Sequence, residues 1–298
     1  MNLSYPIKLL YRKMTSVYWQ VAFLNHNLPI VQEKKVSVLR FQNQEKNWFA
    51  DPFIFDIRDN EIDVIAEEYI TNIKKGVITL LTSRKTDNVV LSKKRIIELD
   101  THLSFPFIFR ENGKTYMFPE NSASGSHFAY ELDTNLNATK VTEVVSDPLT
   151  DTAIVKIADS YYLFGTRIPE ENGNIVRIYK SSKLTGKYEL YQEISVNKAT
   201  ARGASGIYSL SMPYHYYRIG QDNEGFYGDG LVFQEIEFHA DSKKFTIKEK
   251  YRKYPDFDDK GYVAMHTYNA MGDIAVIDVK KYKYPILGRM INYLRYRK

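Results

Sequence analysis

One phrase recurs along this chain: a small residue or an acid, a short apolar run, a turn, then a second aromatic-rich run. The first copy is Trp48-Phe49-Ala50-Asp51-Pro52-Phe53-Ile54-Phe55, answered by Ile62-Asp63-Val64-Ile65-Ala66-Glu67-Glu68. The second is Ser104-Phe105-Pro106-Phe107-Ile108-Phe109, a turn, and Thr115-Tyr116-Met117-Phe118-Pro119-Glu120. The third runs from Thr150-Asp151 to Thr166-Arg167, and a looser fourth from Ala201-Arg202 to Gln221-Asp222. A unit of about 40 to 55 residues made of several short strands is the mark of a β-propeller blade. A fifth unit is read at Gly261–Asn269 and Gly272–Val279. The expected fold is therefore all-β, a five-bladed propeller. Lys35–Arg40 alternates apolar and polar residues as a half-buried strand does and is placed to close the ring. The propeller is expected over residues 1–280 as one domain, followed by a basic amphipathic helix over 281–298.

Bulk properties narrow the function. Aromatics make up 14% of the 298 residues, 24 of them Tyr, which suits strands and sugar-facing surfaces alike. There is no Cys, so a disulfide framework, a thiolate metal site and a Cys nucleophile are excluded. The net charge of +5 sits at the C-terminus, where residues 280–298 carry seven Lys or Arg and no acid. The remainder is near −2 by subtraction, which is not a nucleic-acid surface. Neither a signal peptide nor a spanning run of 18 apolar residues is read, so a cytoplasmic protein is expected. After Pro285, apolar residues at 286, 287, 290, 291 and 294 form a helical stripe. With Lys8, Arg12 and Lys13 it predicts either a basic patch able to sit on an anionic membrane leaflet near a lipid-linked acceptor, or a helix that docks its stripe on the propeller wall.

A propeller brings equivalent positions of its blades around one axis. Asp51 and Asp151 end first strands; Glu67, Glu68, Glu120, Arg167, Gln221 and Asp222 end second strands. Two or three carboxylates in an aromatic-lined cavity suit transfer or hydrolysis at a sugar acetal, one group assisting the leaving oxygen and another activating the attacking one. Asp51, Glu120 and Asp151 are the catalytic candidates. Trp48, Glu68, Arg167, Arg202, Gln221, Asp222, Tyr227 and His266 are the candidate substrate contacts. Arg167 and Arg202 point to an anionic ligand such as a phosphate, or to structural salt bridges with Asp51, Glu120 or Asp151. No cofactor motif is present; neither a nucleotide-binding Gly loop nor a nucleophile elbow occurs.

The stretches Trp48–Phe53, Leu103–Phe109, Tyr116–Ser122 and His266–Asn269 resemble the N-terminal domain of the glucosamine inositolphosphorylceramide transferase family, also found as stand-alone bacterial proteins. The resemblance covers roughly residues 15 to 280. It implies a fold similar to the arabinanase and β-xylosidase class of propeller glycosidases, with Asp51 as general base and Asp151 as the residue that tunes the acid. It also implies a cavity-lining loop at Tyr227–Gly230 and a His near the axis, His266, close to a metal ion or bound water. The general-acid Glu of those glycosidases is expected on a later first strand, where this chain reads Ala201-Arg202-Gly203-Ala204-Ser205-Gly206. That departure favours glycosyl transfer to or from a phosphate- or lipid-linked sugar in surface-glycan assembly. A glycosidase with an unusual acid and a non-catalytic glycan-binding module are the alternatives.

Overall fold

A computed structural model of the chain describes residues 16–26, 33–43, 45–168, 173–196, 199–258, 261–288 and 290. Its strands form five sheets. β1 (Val17–Asn25) and β2 (Ser37–Val38) come first. Blade 1 follows as β3 (Trp48–Ile57), β4 (Glu61–Ile70), β5 (Lys75–Arg84) and β6 (Val90–Ile97). Blade 2 is β7 (Ser104–Glu111), β8 (Lys114–Glu120), β9 (His127–Leu132) and β10 (Ala138–Val145). Blade 3 is β11 (Leu149–Ile157), β12 (Ser160–Arg167), β13 (Ile175–Ser181) and β14 (Glu189–Ser195). Blade 4 is β15 (Gly203–Ser209), β16 (His215–Asp222), β17 (Gly230–His239) and β18 (Lys244–Lys253). The fifth blade joins β19 (Tyr262–Ala264), β20 (Tyr268–Met271) and β21 (Ile274–Tyr282) to β1 and β2.

Both parts of the chain thus share one sheet. β1 pairs antiparallel with β21 from Val17↔Tyr282 to Asn25↔Ile274, and β2 lies on the outer edge of β1. The ring is closed as expected, with Lys35–Arg40 contributing the blade's outermost strand rather than its bond to β21. β21 continues through Lys280 and Lys281, so two of the seven basic residues belong to the propeller. The chain then enters a helical turn over residues 285–288, on which Ile286 is 88% exposed. The rest of the predicted stripe and the basic start at Lys8, Arg12 and Lys13 lie outside the described residues.

The first strand of each blade lines the axis: β3, β7, β11 and β15 contact one another, and β20 contacts β3 and β15. Each of these strands is broken at the same height. Pairing skips between Ala50 and Phe53, Ser104 and Phe107, Thr150 and Ala153, and Gly203 and Ile207; in blade 5 residues 265–267 separate β19 from β20. At the breaks Asp51, Phe105 and Asp151 take positive φ of 50°, 41° and 48°. Such a bulge re-aims one side chain and one N–H out of the ladder, and for residues with a Cβ it is strained. Between blades the cores are apolar, with Phe53, Phe105, Phe107, Phe118 and Leu163 in one cluster and Tyr268, Phe233 and Ile277 in another. Blades 3 and 4 approach so closely that a Cβ on Gly203 would lie 2.2 Å from the carbonyl oxygen of Asp151.

Candidate active site

The bulges place buried polar side chains at one end of the axis. On one side is a chain of three. Asp278 Oδ1 accepts the N–H groups of His266 and Thr267 at 3.0 Å each, and its Oδ2 accepts the Asp51 N–H at 3.0 Å. His266 Nδ1 lies 2.7 Å from Asp278 Oδ2, and its Nε2 lies 3.5 Å from Asp51 Oδ1. Asp51 Oδ2 accepts the N–H of Phe105 at 3.2 Å, whereas Oδ1 is buried and accepts no hydrogen bond. Trp19 stacks on the His266 ring at 4.0 Å and 18°, fixing its plane.

On the other side is an ion-pair network. Arg202 Nε donates to Asp151 Oδ2 at 2.5 Å, and Nη2 donates to Thr150 Oγ1 at 2.8 Å, 3.7 Å from Glu120 Oε2. Glu120 Oε2 also accepts from the Thr150 hydroxyl and from the Asp151 N–H at 3.1 Å. Gln221 Nε2 bridges Asp151 Oδ2 and the Gly203 carbonyl at 3.0 and 2.9 Å. Tyr227, 47% exposed, leans edge-on over His266 at 5.3 Å, with the Arg202 guanidinium 5.2 Å from its ring.

Charge crowding governs these groups. Burial, then repulsion from Glu67, Asp278, Asp151 and Glu120, raises Asp51 well above the ordinary carboxylate range. Burial and Asp151 push Glu120 up to about 7 against the pull of Arg202. Burial also pushes on Asp278, but His266 and the amide donors hold it below its usual value. Two neighbouring carboxyls are thus driven towards the neutral form while a third stays ionised. Asp51, His266 and Asp278 offer ligand atoms within 4.8 Å of one another. Both oxygens of Asp278 are already taken, leaving only Asp51 Oδ1 and His266 Nε2, and two donors do not make a resident metal site.

Of the residues singled out in the sequence, Asp51, Glu120, Asp151, Arg202, Gln221, Tyr227 and His266 meet here. Trp48 stands beside them, packed on the Trp19 and Ala50 cluster and stacked on Tyr69 at 4.4 Å. Three lie elsewhere. Glu68 points to the opposite face of β4, bound by Lys93, Asn47 and Thr79. Its neighbour Glu67 holds the inward position, opposite Ala50 and 3.3 Å from His102 Nε2. Arg167 sits 3.7 Å from Asp147 and not on the axial carboxylates. Asp222 faces outward to Arg252 and the Tyr254 hydroxyl at 2.9 and 2.8 Å. Beside Glu68 and Asp222 the neighbouring strand positions, Glu67 and Gln221, face the axis, because successive side chains alternate across a sheet. Asp278, Trp19, Thr150 and Lys280 were not singled out. A lone acid within Ala275-Val276-Ile277-Asp278-Val279 was the available signal. Lys280 is buried with its ammonium 4.7 Å from the Trp19 ring and donates to the Tyr227 carbonyl at 2.9 Å; burial lowers it to about 8.

By fold the chain is a five-bladed β-propeller. It is similar to the GH62 α-L-arabinofuranosidase of Coprinopsis cinerea (TM-score 0.53, 9% identity, 78% of this chain and 90% of that one). It is also similar to the exo-β-1,3-galactanase of Phanerochaete chrysosporium solved with β-1,3-galactotriose (TM-score 0.52, 16%, 68% and 49%). Residues 9–260 match the family described as glucosamine inositolphosphorylceramide transferase 1, N-terminal, and the chain belongs to that family. The Arabidopsis thaliana protein of that name is 28% identical over 215 residues, 70% of this chain and 27% of the relative, so the chain spans about a quarter of the relative's length.

The charge on Glu120 has a consequence for folding. Its native pKa lies above the ordinary 4.5, so the native state keeps a proton that the unfolded chain releases. Stability should fall as pH rises from about 4.5 to about 7, by at most about 3 kcal/mol from this group. Urea midpoints at pH 5 and pH 8 should show that loss in the parent and a smaller one in Glu120→Gln; equal losses would show that Glu120 ionises freely.

Proposed function

We propose that this protein is a carbohydrate-active enzyme of surface-glycan assembly that transfers a glycosyl group to or from a phosphate- or lipid-linked sugar. The observation that carries this reading is Asp51 Oδ1: a buried carboxylate oxygen free of hydrogen bonds, aligned by His266, which Asp278 holds in turn. Desolvation makes such a carboxylate, once ionised, an effective base for an attacking hydroxyl. Arg202 has further N–H donors beyond the two in use and supplies positive charge beside Asp151 and Glu120 for an anionic leaving group. The family's name, a glycosyl transferase of a phosphorylated lipid, supports the same substrate class.

A second reading rests on Glu120. A carboxyl held near 7 can protonate a leaving oxygen, which lets Glu120 replace the acid that blade 4 lacks. The two separate by substrate. Nucleotide and lipid-diphosphate sugars should turn over under the first reading and aryl glycosides under the second. In either case Asp51→Asn should lower turnover by about 10²–10⁴-fold with the melting temperature kept. Full activity in Asp51→Asn would make Asp51 structural. Saturable glycan binding without turnover of any of these substrates would make the protein a binding module.

The proposal includes contact with an anionic bilayer. Ile286 and Met290, 88% and 53% exposed, sit beside a sequence with five basic residues beyond β21. Among the described residues no helix is long and apolar enough to cross a membrane. Sedimentation with phosphatidylglycerol vesicles should occur at low salt, weaken as salt rises, and drop in Ile286→Asp. Equal sedimentation of parent and variant would remove this contact from the account.

A further inference from the structure

A groove opens away from the axis, at the seam where the first and last blades meet. Its outer part has a volume of about 620 Å³ and is bordered by Tyr18, Lys46, Trp48, Thr71 and Lys283. Its inner part, about 140 Å³, shares Tyr18 and Trp48 and reaches Trp19. Trp19 is the ring stacked on His266, so one side chain separates the groove from the axial site.

Two kinds of group are available to a ligand there. The first is flat and fixed. Trp48 is stacked parallel on Tyr69 at 4.4 Å and 10°, and Tyr18 is half-buried on β1. A preset aromatic surface takes the apolar face of a sugar ring at little cost in side-chain entropy. The second is cationic. Lys46 and Lys283 are exposed, and among the described residues neither ammonium has an acceptor or an anionic partner. Glu45, Asn47 and Thr71 on the same wall are occupied. Glu45 takes Lys93 and the N–H groups of Lys46 and Asn47, while Asn47 is spent on Glu68 and the Thr71 N–H. Positive charge beside aromatic surface is thus open to a ligand.

We propose that this seam groove binds a sugar carrying an acidic group, its ring against Trp48 and Tyr18 and its acid with Lys46 and Lys283. The proposal stands whether or not the axial site is catalytic. It gives Trp48 a place beside the funnel rather than in it. A phosphate or a carboxylate would supply the same charge, and the two are separable by probe.

The chain has two tryptophans, and both border the groove, so intrinsic fluorescence reports its occupancy directly. Glucose 1-phosphate and glucuronate should each be titrated, with glucose and inorganic phosphate as controls. At least one acidic sugar should give a saturable change, and the controls should bind at least about tenfold more weakly. The double variant Lys46→Ala with Lys283→Ala should weaken that acidic sugar by about tenfold or more. Asp51→Asn should leave its affinity unchanged. Failure of both acidic sugars to bind, or binding of either control as tightly, would overturn the proposal. So would affinity lost in Asp51→Asn and kept in the lysine variant, which would put the ligand on the axis instead.

Discussion

The carboxylate of Asp278 is the interaction on which ring and site both depend. It lies on β21, the strand that β1 clamps to close the propeller, and it is completely buried. It takes the N–H of Asp51 from blade 1 and those of His266 and Thr267 from its own blade. A buried anion is costly unless donors surround it, and here the donors are amides released by the strand breaks. The closure of the ring therefore creates the pocket of positive potential that keeps Asp278 ionised.

The same device recurs around the axis. Asp51 accepts the Phe105 N–H across the interface of blades 1 and 2, and Glu120 accepts the Asp151 N–H across that of blades 2 and 3. Asp151 receives Arg202 and Gln221 from blade 4. Asn269 of blade 5 accepts the Gly206 N–H from blade 4 and donates to the Pro52 carbonyl of blade 1. Every interface is crossed by a polar link at the first strand, while apolar packing fills the blades behind it. The residues that would do chemistry are thus also the residues that join the blades. Asp51 is the exception in one respect: its Oδ1 is left over from that structural task.

The periodicity of the sequence carried the fold, because each blade repeats a strand–turn–strand pattern with aromatic packing. The starts near Trp48, Ser104, Thr150 and Arg202 coincide with β3, β7, β11 and β15. Most of the axial cluster was also legible, since acids beside Pro or within apolar runs are out of place in a solvated turn. What failed was the choice of face. Glu68 and Asp222 each lie one residue from an inward-facing side chain, and bulges shift the alternation that would have decided between them, while Arg167 turns to Asp147. Asp278 stayed hidden because its role comes from pairing between β1 and β21, over 250 residues apart, which no local pattern encodes. The amphipathic helix expected over 281–298 falls mostly outside the described residues, of which 285–288 form a helical turn.

The central claim is that the charge on Asp278, beyond its shape, holds the ring closed and His266 in place. Asp278→Asn tests it, since the amide keeps the volume but loses the negative charge and puts a donor against one of the incoming N–H groups. Urea unfolding at pH 7 should show the variant destabilised by about 3 kcal/mol or more with an unchanged slope, as for a broken buried pair. A midpoint indistinguishable from that of the parent would contradict the account.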